Sequence, residues 1–399
     1  MKPATMRTPL SPTISPLFAG IPVNPLRALF PYAARPGMLN LASGHPSRDA
    51  YDLEGLAEAT ARAAADFGAW TYGPSAGDPE LVAAMAALAD PVPDGFRLLV
   101  TSGAQQGVDL ALRGLAAPGS RVLVPEPVYP AILSLCAVAG LTPVGYRVAA
   151  GDETLAELAA TLAGGGFRAL YALPTFSNPT GETWSLAQRR RVLELCARAG
   201  VPIVEDDPYR LIWSGAAPPP SLFRLAGEAG GARVVYLGSL SKFVAPGLRL
   251  GWAIAPEALS LAMQEARQAG DLQPNALAQR VAARYLALGR VEAHLARVRA
   301  LYTERRLLLT GLLAAGGFRV PETAGGMFLF PELPEGVRAA EVFDRAVARG
   351  VMFAPGPAFA LAPGSGRFAE RARLCFAGLG PEGIAEAARR LLAAVGEAA

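Results

Sequence analysis

Tyr236-Leu-Gly-Ser239-Leu-Ser241-Lys242-Phe-Val-Ala-Pro246-Gly247-Leu-Arg249-Leu-Gly251 is the stretch on which the reading of this chain turns. It opens as an apolar strand, passes two hydroxyls, presents a lysine and places an arginine seven positions later. The lysine stands out by its rarity. Of 37 basic residues in the 399-residue chain only two are lysines, Lys2 and Lys242, and the rest are arginines. Wherever a positive charge suffices, this sequence uses guanidinium. A position that keeps a primary amine needs what guanidinium cannot do, which is to lose its proton and add to a carbonyl carbon. Lys2 sits at the terminus, so Lys242 is the candidate nucleophile inside the fold.

Outward from this stretch the chain alternates. Short apolar runs predict strands at Arg97–Thr101, Arg121–Val124, Thr142–Val148, Arg168–Leu173, Pro202–Glu205, Arg233–Gly238 and Arg249–Ile254. Runs of helical period fall between most of them, at Gln105–Ala116, Ala131–Ala139, Leu155–Leu162 and Leu186–Ala199. Apolar strands alternating with helices imply an α/β fold with a mostly parallel seven-stranded sheet between helices. Ligands in such sheets sit at the carboxyl ends of the strands. The last two strands are joined by only ten residues, 239 to 248. That is short for a crossover helix, so one strand runs antiparallel.

Residues 1–50 are rich in proline and read as an extended arm with a helical turn near Leu26–Phe30. Helices follow at Leu53–Phe67 and Pro79–Leu88. Towards the C-terminus a long helical region, Ala276–Leu313, leads to strand-like pieces at Met327–Phe330, Val351–Phe353 and Arg373–Phe376. Helices are expected at Ala339–Arg349 and Pro381–Val395. The expected division is an arm (1–50), a large domain (51–285) and a small α+β domain (286–399) against which the arm packs.

Composition narrows the function. Hydrophobic residues make up 52% of the chain and the mean hydropathy is +0.28. Charges nevertheless interrupt every apolar run before the ~20 residues of a spanning helix. The first thirty residues lack the basic start and apolar block of a secretory signal. A cytoplasmic globular protein with no membrane partner is expected. Net charge is +3, and the longest basic run, Arg189–Arg190–Arg191, reads as a solvated helix face, with no nucleic-acid partner implied. Cys136, Cys196 and Cys375 lie far apart in apolar sequence. They read as buried thiols of a reducing compartment, without metal-ligand spacing. The two histidines, His45 and His294, are too few for a metal cluster.

Five further motifs accompany Lys242. Ser102-Gly103-Ala104-Gln105-Gln106 follows a strand and opens a helix. Free backbone N–H groups and the positive dipole end suit a phosphate there. Tyr171-Ala-Leu-Pro174-Thr-Phe-Ser-Asn178-Pro179-Thr180-Gly181 follows later, and Glu205-Asp206-Asp207-Pro208-Tyr209 ends another strand. Tyr72-Gly-Pro-Ser-Ala-Gly77 and Arg373-Leu-Cys-Phe376 flank them in the sequence. In order and over about residues 20–395, these stretches resemble the class I/II aminotransferases of the aspartate-aminotransferase-like fold, fold type I. Within that family the resemblance is to the branch containing 2-aminoadipate and kynurenine aminotransferases and the aminotransferase-like half of certain bacterial regulators.

The resemblance implies pyridoxal 5′-phosphate (PLP) as cofactor, held by Lys242 as a Schiff base, and a ping-pong exchange of an amino group between an L-amino acid and a 2-oxo acid. It implies roles residue by residue. The backbone of Gly103, Ala104 and Gln105, the hydroxyls of Ser239 and Ser241, and Arg249 would hold the phosphate. Ala104 stands where many relatives have a hydroxyl, which shifts weight to Ser239, Ser241 and Tyr72, the last lent by the partner of a homodimer. Asp206, three residues before Tyr209, would face the pyridine nitrogen and favour its protonated form. Tyr209 and Asn178 would bond the phenolic oxygen, and Tyr129 would stack on the ring. Arg373 would clamp the substrate α-carboxylate, with Asn178 and the backbone of Gly44 beside it. Arg27 lies near the place where relatives recognise an acidic side chain, and His45 reads as a surface-loop residue with a possible reach to substrate.

Three other classes stay in view. The same constellation supports β-elimination or decarboxylation by a PLP-dependent lyase. A non-catalytic PLP-binding regulator of this fold would carry a helix-turn-helix module, and the twenty or so Pro-rich residues before the matched region show no basic helix pair. Dinucleotide, P-loop and serine-hydrolase chemistry lack their motifs in this sequence.

Overall fold

Alternation of apolar strands and helices resolves into three sheets in a computed structural model that describes residues 14–149, 153–229 and 233–397. The first thirteen residues of the expected arm, Lys2 among them, lie outside the described residues. In chain order the strands are β1 (Leu39–Asn40), β2 (Phe96–Thr101), β3 (Arg121–Pro125), β4 (Thr142–Tyr146), β5 (Phe167–Ala172) and β6 (Ile203–Asp206). They continue with β7 (Val234–Ser239), β8 (Gly251–Pro256), β9 (Phe328–Leu329), β10 (Val351–Met352), β11 (Ala354–Pro355) and β12 (Ala372–Cys375).

The large sheet has seven strands in the order β2-β8-β7-β6-β5-β3-β4. Every neighbour pair is parallel except those made by β8, which runs antiparallel to β2 and β7. The short 239–248 connection therefore does what its length demands. Every residue of β7 is buried, as expected for a strand covered on both faces. The return of β8 sets Gly251 opposite both Thr101 and Ser239. The carboxyl ends of β2 and β7 thus meet the start of β8 at one place, and Lys242 stands on the loop above it.

The flanking helices begin and end where local chemistry dictates. The helix Pro79–Leu88 starts with a proline in its first turn and is capped by the Asp78 carboxylate. The helix Leu186–Ala199 opens on a Ser185/Gln188 capping box and stops at Gly200, which adopts φ +65°. Its arginine run corrects the expectation of a solvated face. Arg189 is fully buried, while Arg190 is exposed and Arg191 half-buried. The expected helical region Ala276–Leu313 is two helices, Ala276–Ala287 and Val291–Ala315. Gly289 at φ +69° breaks the chain between them, and Arg290 ties the break to Asp52 and Glu54. Helices at Leu222–Ala229 and Glu257–Gly270 were not expected from the sequence.

The rest forms two small sheets. β11, β12 and β9 make an antiparallel sheet, and β1 of the arm pairs in parallel with β10. In the arm, the turn near Leu26–Phe30 is a 3₁₀ turn over Pro25–Leu29 that runs into a short helix, Phe30–Ala33. Among the described residues no helix is long and apolar enough to cross a membrane.

Candidate active site

Two cavities meet at Lys242. The inner one, of about 200 Å³, is lined by Ala104, Asp206, Ser239, Ser241 and Arg249. The outer one, of about 410 Å³, opens past Gly44, Arg373 and Phe328 to Arg27 of the arm. Tyr129, Tyr209, Asn178, Gln105 and Lys242 line both. A larger cleft of about 870 Å³ near Trp184 and Glu322 lies elsewhere and carries no such convergence of groups.

The floor of the inner cavity is Asp206, at the end of β6. Its Oδ2 accepts a hydrogen bond from the Tyr171 hydroxyl at 2.8 Å, while its Oδ1 is buried with no partner among the described residues. Burial, opposed by that bond, pushes its carboxyl up to about 6. Lys242 Nζ donates to the Gly44 carbonyl at 3.1 Å and lies 5.7 Å from the Tyr209 ring centre. Burial pulls the Lys242 amine down to about 8; Arg373 and Arg249 push the same way, against Cys375 and Asp206. An amine so placed is a nucleophile near neutral pH.

One wall of the inner cavity is a phosphate-sized cradle. The helix Ala104–Leu115 begins after Gly103, which adopts φ +82° and offers no side-chain cap, so its first N–H groups face the cavity end. Ser102 N–H donates to Gln106 Oε1 at 2.8 Å, so Gln106 holds the loop while Gln105 lines the cavity. Arg249, in the left-handed region at φ +53°, turns its guanidinium back to the Ser102 carbonyl at 3.2 Å. A Cβ on Gly103 would lie 2.7 Å from that guanidinium, and one on Gly251 would lie 2.8 Å from the Ala104 nitrogen. Ser239 and Ser241 complete the wall, joined by a 3.1 Å bond from Ser241 N–H to Ser239 Oγ.

Arg373, from β12, is buried between the rings of Phe328 and Phe359, 4.4 and 5.0 Å from its guanidinium carbon. It donates to Asn178 Oδ1 at 2.9 Å and to the Ala42 carbonyl, and its Nε is left without a partner among the described residues. Gly44 packs so closely that a Cβ there would come within 2.7 Å of the Phe328 ring. Tyr209 is buried and meets Phe328 edge-on at 5.9 Å, and its hydroxyl is pushed well above the ordinary phenol value by burial. Arg27 and His45 are exposed at the mouth of the outer cavity. Tyr72 stands apart: it is 82% exposed and lines neither cavity.

Three partners escaped the sequence reading. Tyr171 was quoted in its motif but given no contact. Phe328 supports Arg373, Gly44 and Tyr209 at once. Beneath Asp206, on the other face of its strand, buried Arg189 lies 3.8 Å from Glu205 and donates to Thr175 Oγ1 at 2.9 Å and the Pro174 carbonyl at 2.8 Å. The signal for Arg189 was in its helix: 189, 192, 193 and 196 share one stripe, and Val192, Leu193 and Cys196 are buried with it.

The donor set fits PLP. A buried unpaired carboxylate oxygen suits a pyridinium N–H, an amine of lowered pKa suits an aldehyde, and the helix start with Arg249 suits a phosphate dianion. The family model for aminotransferase class I and II matches residues 36–391. The chain belongs to this family. It is a PLP-dependent aminotransferase. It is 38% identical over 379 residues to the 2-aminoadipate transaminase of Thermus thermophilus, covering 93% of each chain. Its structure is similar to the α-aminoadipate aminotransferase LysN from Thermus thermophilus, complexed with N-(5′-phosphopyridoxyl)-L-leucine, with a TM-score of 0.86 at 35% identity over 96% and 97% of the two chains. The kynurenine aminotransferase of Pyrococcus horikoshii, in complex with PMP and kynurenine, gives a TM-score of 0.87 at 28% identity over 96% and 97%. Among the described residues no group of His, Cys, Asp and Glu is placed to hold a metal ion.

Proposed function

We propose that Lys242 Nζ holds the PLP aldehyde and moves the substrate proton in a ping-pong transamination of an acidic L-amino acid. The convergence of a depressed amine and an unpaired Asp206 oxygen in one cavity carries this reading. PLP, when bound, supplies the carbonyl that takes the amino group and the conjugated ring that spreads the charge left at Cα. The chain's own residues do the rest. Asp206 Oδ1 accepts from the ring nitrogen and keeps it protonated. Ser239, Ser241, Arg249 and the N–H groups of Ala104 and Gln105 hold the phosphate. Tyr129 would cover one face of the ring, and Tyr209 and Asn178 would bond its phenolic oxygen. Arg373, with Asn178 and the Gly44 backbone, receives the α-carboxylate. Lys242 Nζ, as the free amine, would take the proton from the substrate Cα and hand it on, returning to its neutral form.

The outer cavity supports an acidic side chain. It is lined by the basic groups of Arg27, Lys242 and Arg373, with no Asp or Glu among the described residues that line it. We read residues 51–285 as the cofactor-carrying domain and 286–399, with the arm 1–50, as the smaller one. The three buried free cysteines support a reducing compartment, the cytoplasm. A homodimer is part of the proposal, with Tyr72 reaching the phosphate of the partner's site. Single-turnover mixing with L-glutamate, L-2-aminoadipate, aromatic and branched-chain amino acids tests it. The expected result is loss of the visible PLP band with one equivalent of 2-oxo acid per site, fastest for the acidic substrates. Persistence of that band with no oxo acid would refute transamination.

A further inference from the structure

We propose that His45 is a specificity residue of the outer cavity, which in its protonated form adds a second positive charge to Arg27 for the distal carboxylate of an acidic substrate, so that discrimination against neutral amino acids grows as pH falls. The inference rests on the transamination reading and concerns the side-chain end of the same site.

Its ground is placement. His45 lines both cavities, next to Gly44, whose carbonyl receives Lys242 Nζ. Its ring makes no hydrogen bond among the described residues, whereas His294, the other histidine of the chain, is fixed between the Phe243 carbonyl and Arg297. The ionisable groups facing His45 across the outer cavity are Lys242, Arg27, Arg373, Tyr129 and Tyr209, with Arg249 in the inner one; among the described residues lining the two cavities the carboxylate is Asp206, on the inner floor and bonded to Tyr171. A substrate carboxylate entering this space meets cations and an unengaged imidazole. Partial desolvation against the cavity walls, with the charge of Lys242, holds His45 below its ordinary value, so it gains its proton on acidification. A distal carboxylate of ordinary acidity stays ionised down to about pH 5.5. Over that interval the distal carboxylate keeps its charge while His45 gains one.

The experiment compares L-2-aminoadipate with L-norleucine, which has the same chain length and lacks the distal carboxylate, between pH 8 and 5.5. Ionisations that act alike on both substrates drop out of the ratio of kcat/KM, and any effect of Lys242 on the distal carboxylate is retained in His45→Asn, so the difference between wild type and variant isolates His45. In the wild type that ratio should rise about three- to fivefold on acidification, the scale of a partly exposed ion pair. In His45→Asn most of that rise should be lost. A flat wild-type ratio, or an unchanged rise in His45→Asn, overturns the inference while leaving transamination standing. A second readout needs no turnover. With two histidines, NMR of the enzyme labelled at histidine Cε1 resolves His45 by comparison with His45→Asn. Added glutarate should raise the His45 titration midpoint by about half a pH unit and leave His294 unmoved. An unmoved midpoint overturns the inference, whether or not either amino acid is transaminated.

Discussion

At the scale of single residues, the chemistry depends on an amine that gives up its proton easily. Since burial pulls Lys242 down to about 8, capture of PLP by the apoenzyme should accelerate as pH rises through about 8 and level off above it. Growth of the visible band in stopped-flow mixing measures this, and a rate independent of pH from 6 to 10 would contradict it. Lys242→Arg keeps a charge but cannot add to the aldehyde. It should lower transamination by about 10⁴-fold or more while PLP still binds, detected by its fluorescence. Lys242 was legible because, Lys2 apart, every other basic position of the chain is arginine. Tyr171 was not, since a tyrosine at a strand end points to either face and only the pleat brings its hydroxyl to Asp206.

Elements bring these residues together through close backbone approach. Gly251 lets β8 lie against the start of the helix Ala104–Leu115 and against the Gly238 carbonyl, where a Cβ would stand 2.6 Å away. Gly251→Ala should push that helix start aside and cost about 1–3 kcal/mol. A lower urea midpoint and a weaker PLP dissociation constant, measured together, would show it; loss of stability with unchanged PLP affinity would not fit. Behind the sheet, Arg189→Ala removes the counter-charge beside Glu205, whose carboxyl burial already pushes up to about 7. The expected loss is about 3–5 kcal/mol, read by urea unfolding. Strand positions were legible from apolar runs to within a residue or two, as β6 and β7 show. The arginine run misled because three adjacent charges read as a surface, although helical period turns one of them inward.

For the whole molecule the exposed segment Phe67–Tyr72 matters most. Phe67, Trp70 and Tyr72 are 80%, 62% and 82% exposed, a concentration of aromatic surface suited to burial against a second copy. Sedimentation should give a dimer. Tyr72→Phe should keep the dimer and weaken PLP binding, and a monomer that binds PLP fully would contradict the shared site. The order of elements was legible because each helix–strand unit carries its own period. Convergence of Arg27, Gly44 and Arg373 on one cavity was legible through the family resemblance and not from period or composition, because it arises from pairings such as β1 with β10, between segments at opposite ends of the chain.

The order of the large sheet has a consequence for biosynthesis. β2 emerges from the ribosome first of its seven strands, yet its neighbour in the sheet is β8, the last to emerge. Until then β2 has no strand to pair with, although the helix Ala104–Leu115 can already pack on β5, β6 and β7, and the amides at Gly103 lack the β8 backbone that lies against them. A nascent chain halted before β8 should therefore hold the vitamin B6 coenzyme less firmly than the finished protein, with tight loading following translation of the closing hairpin.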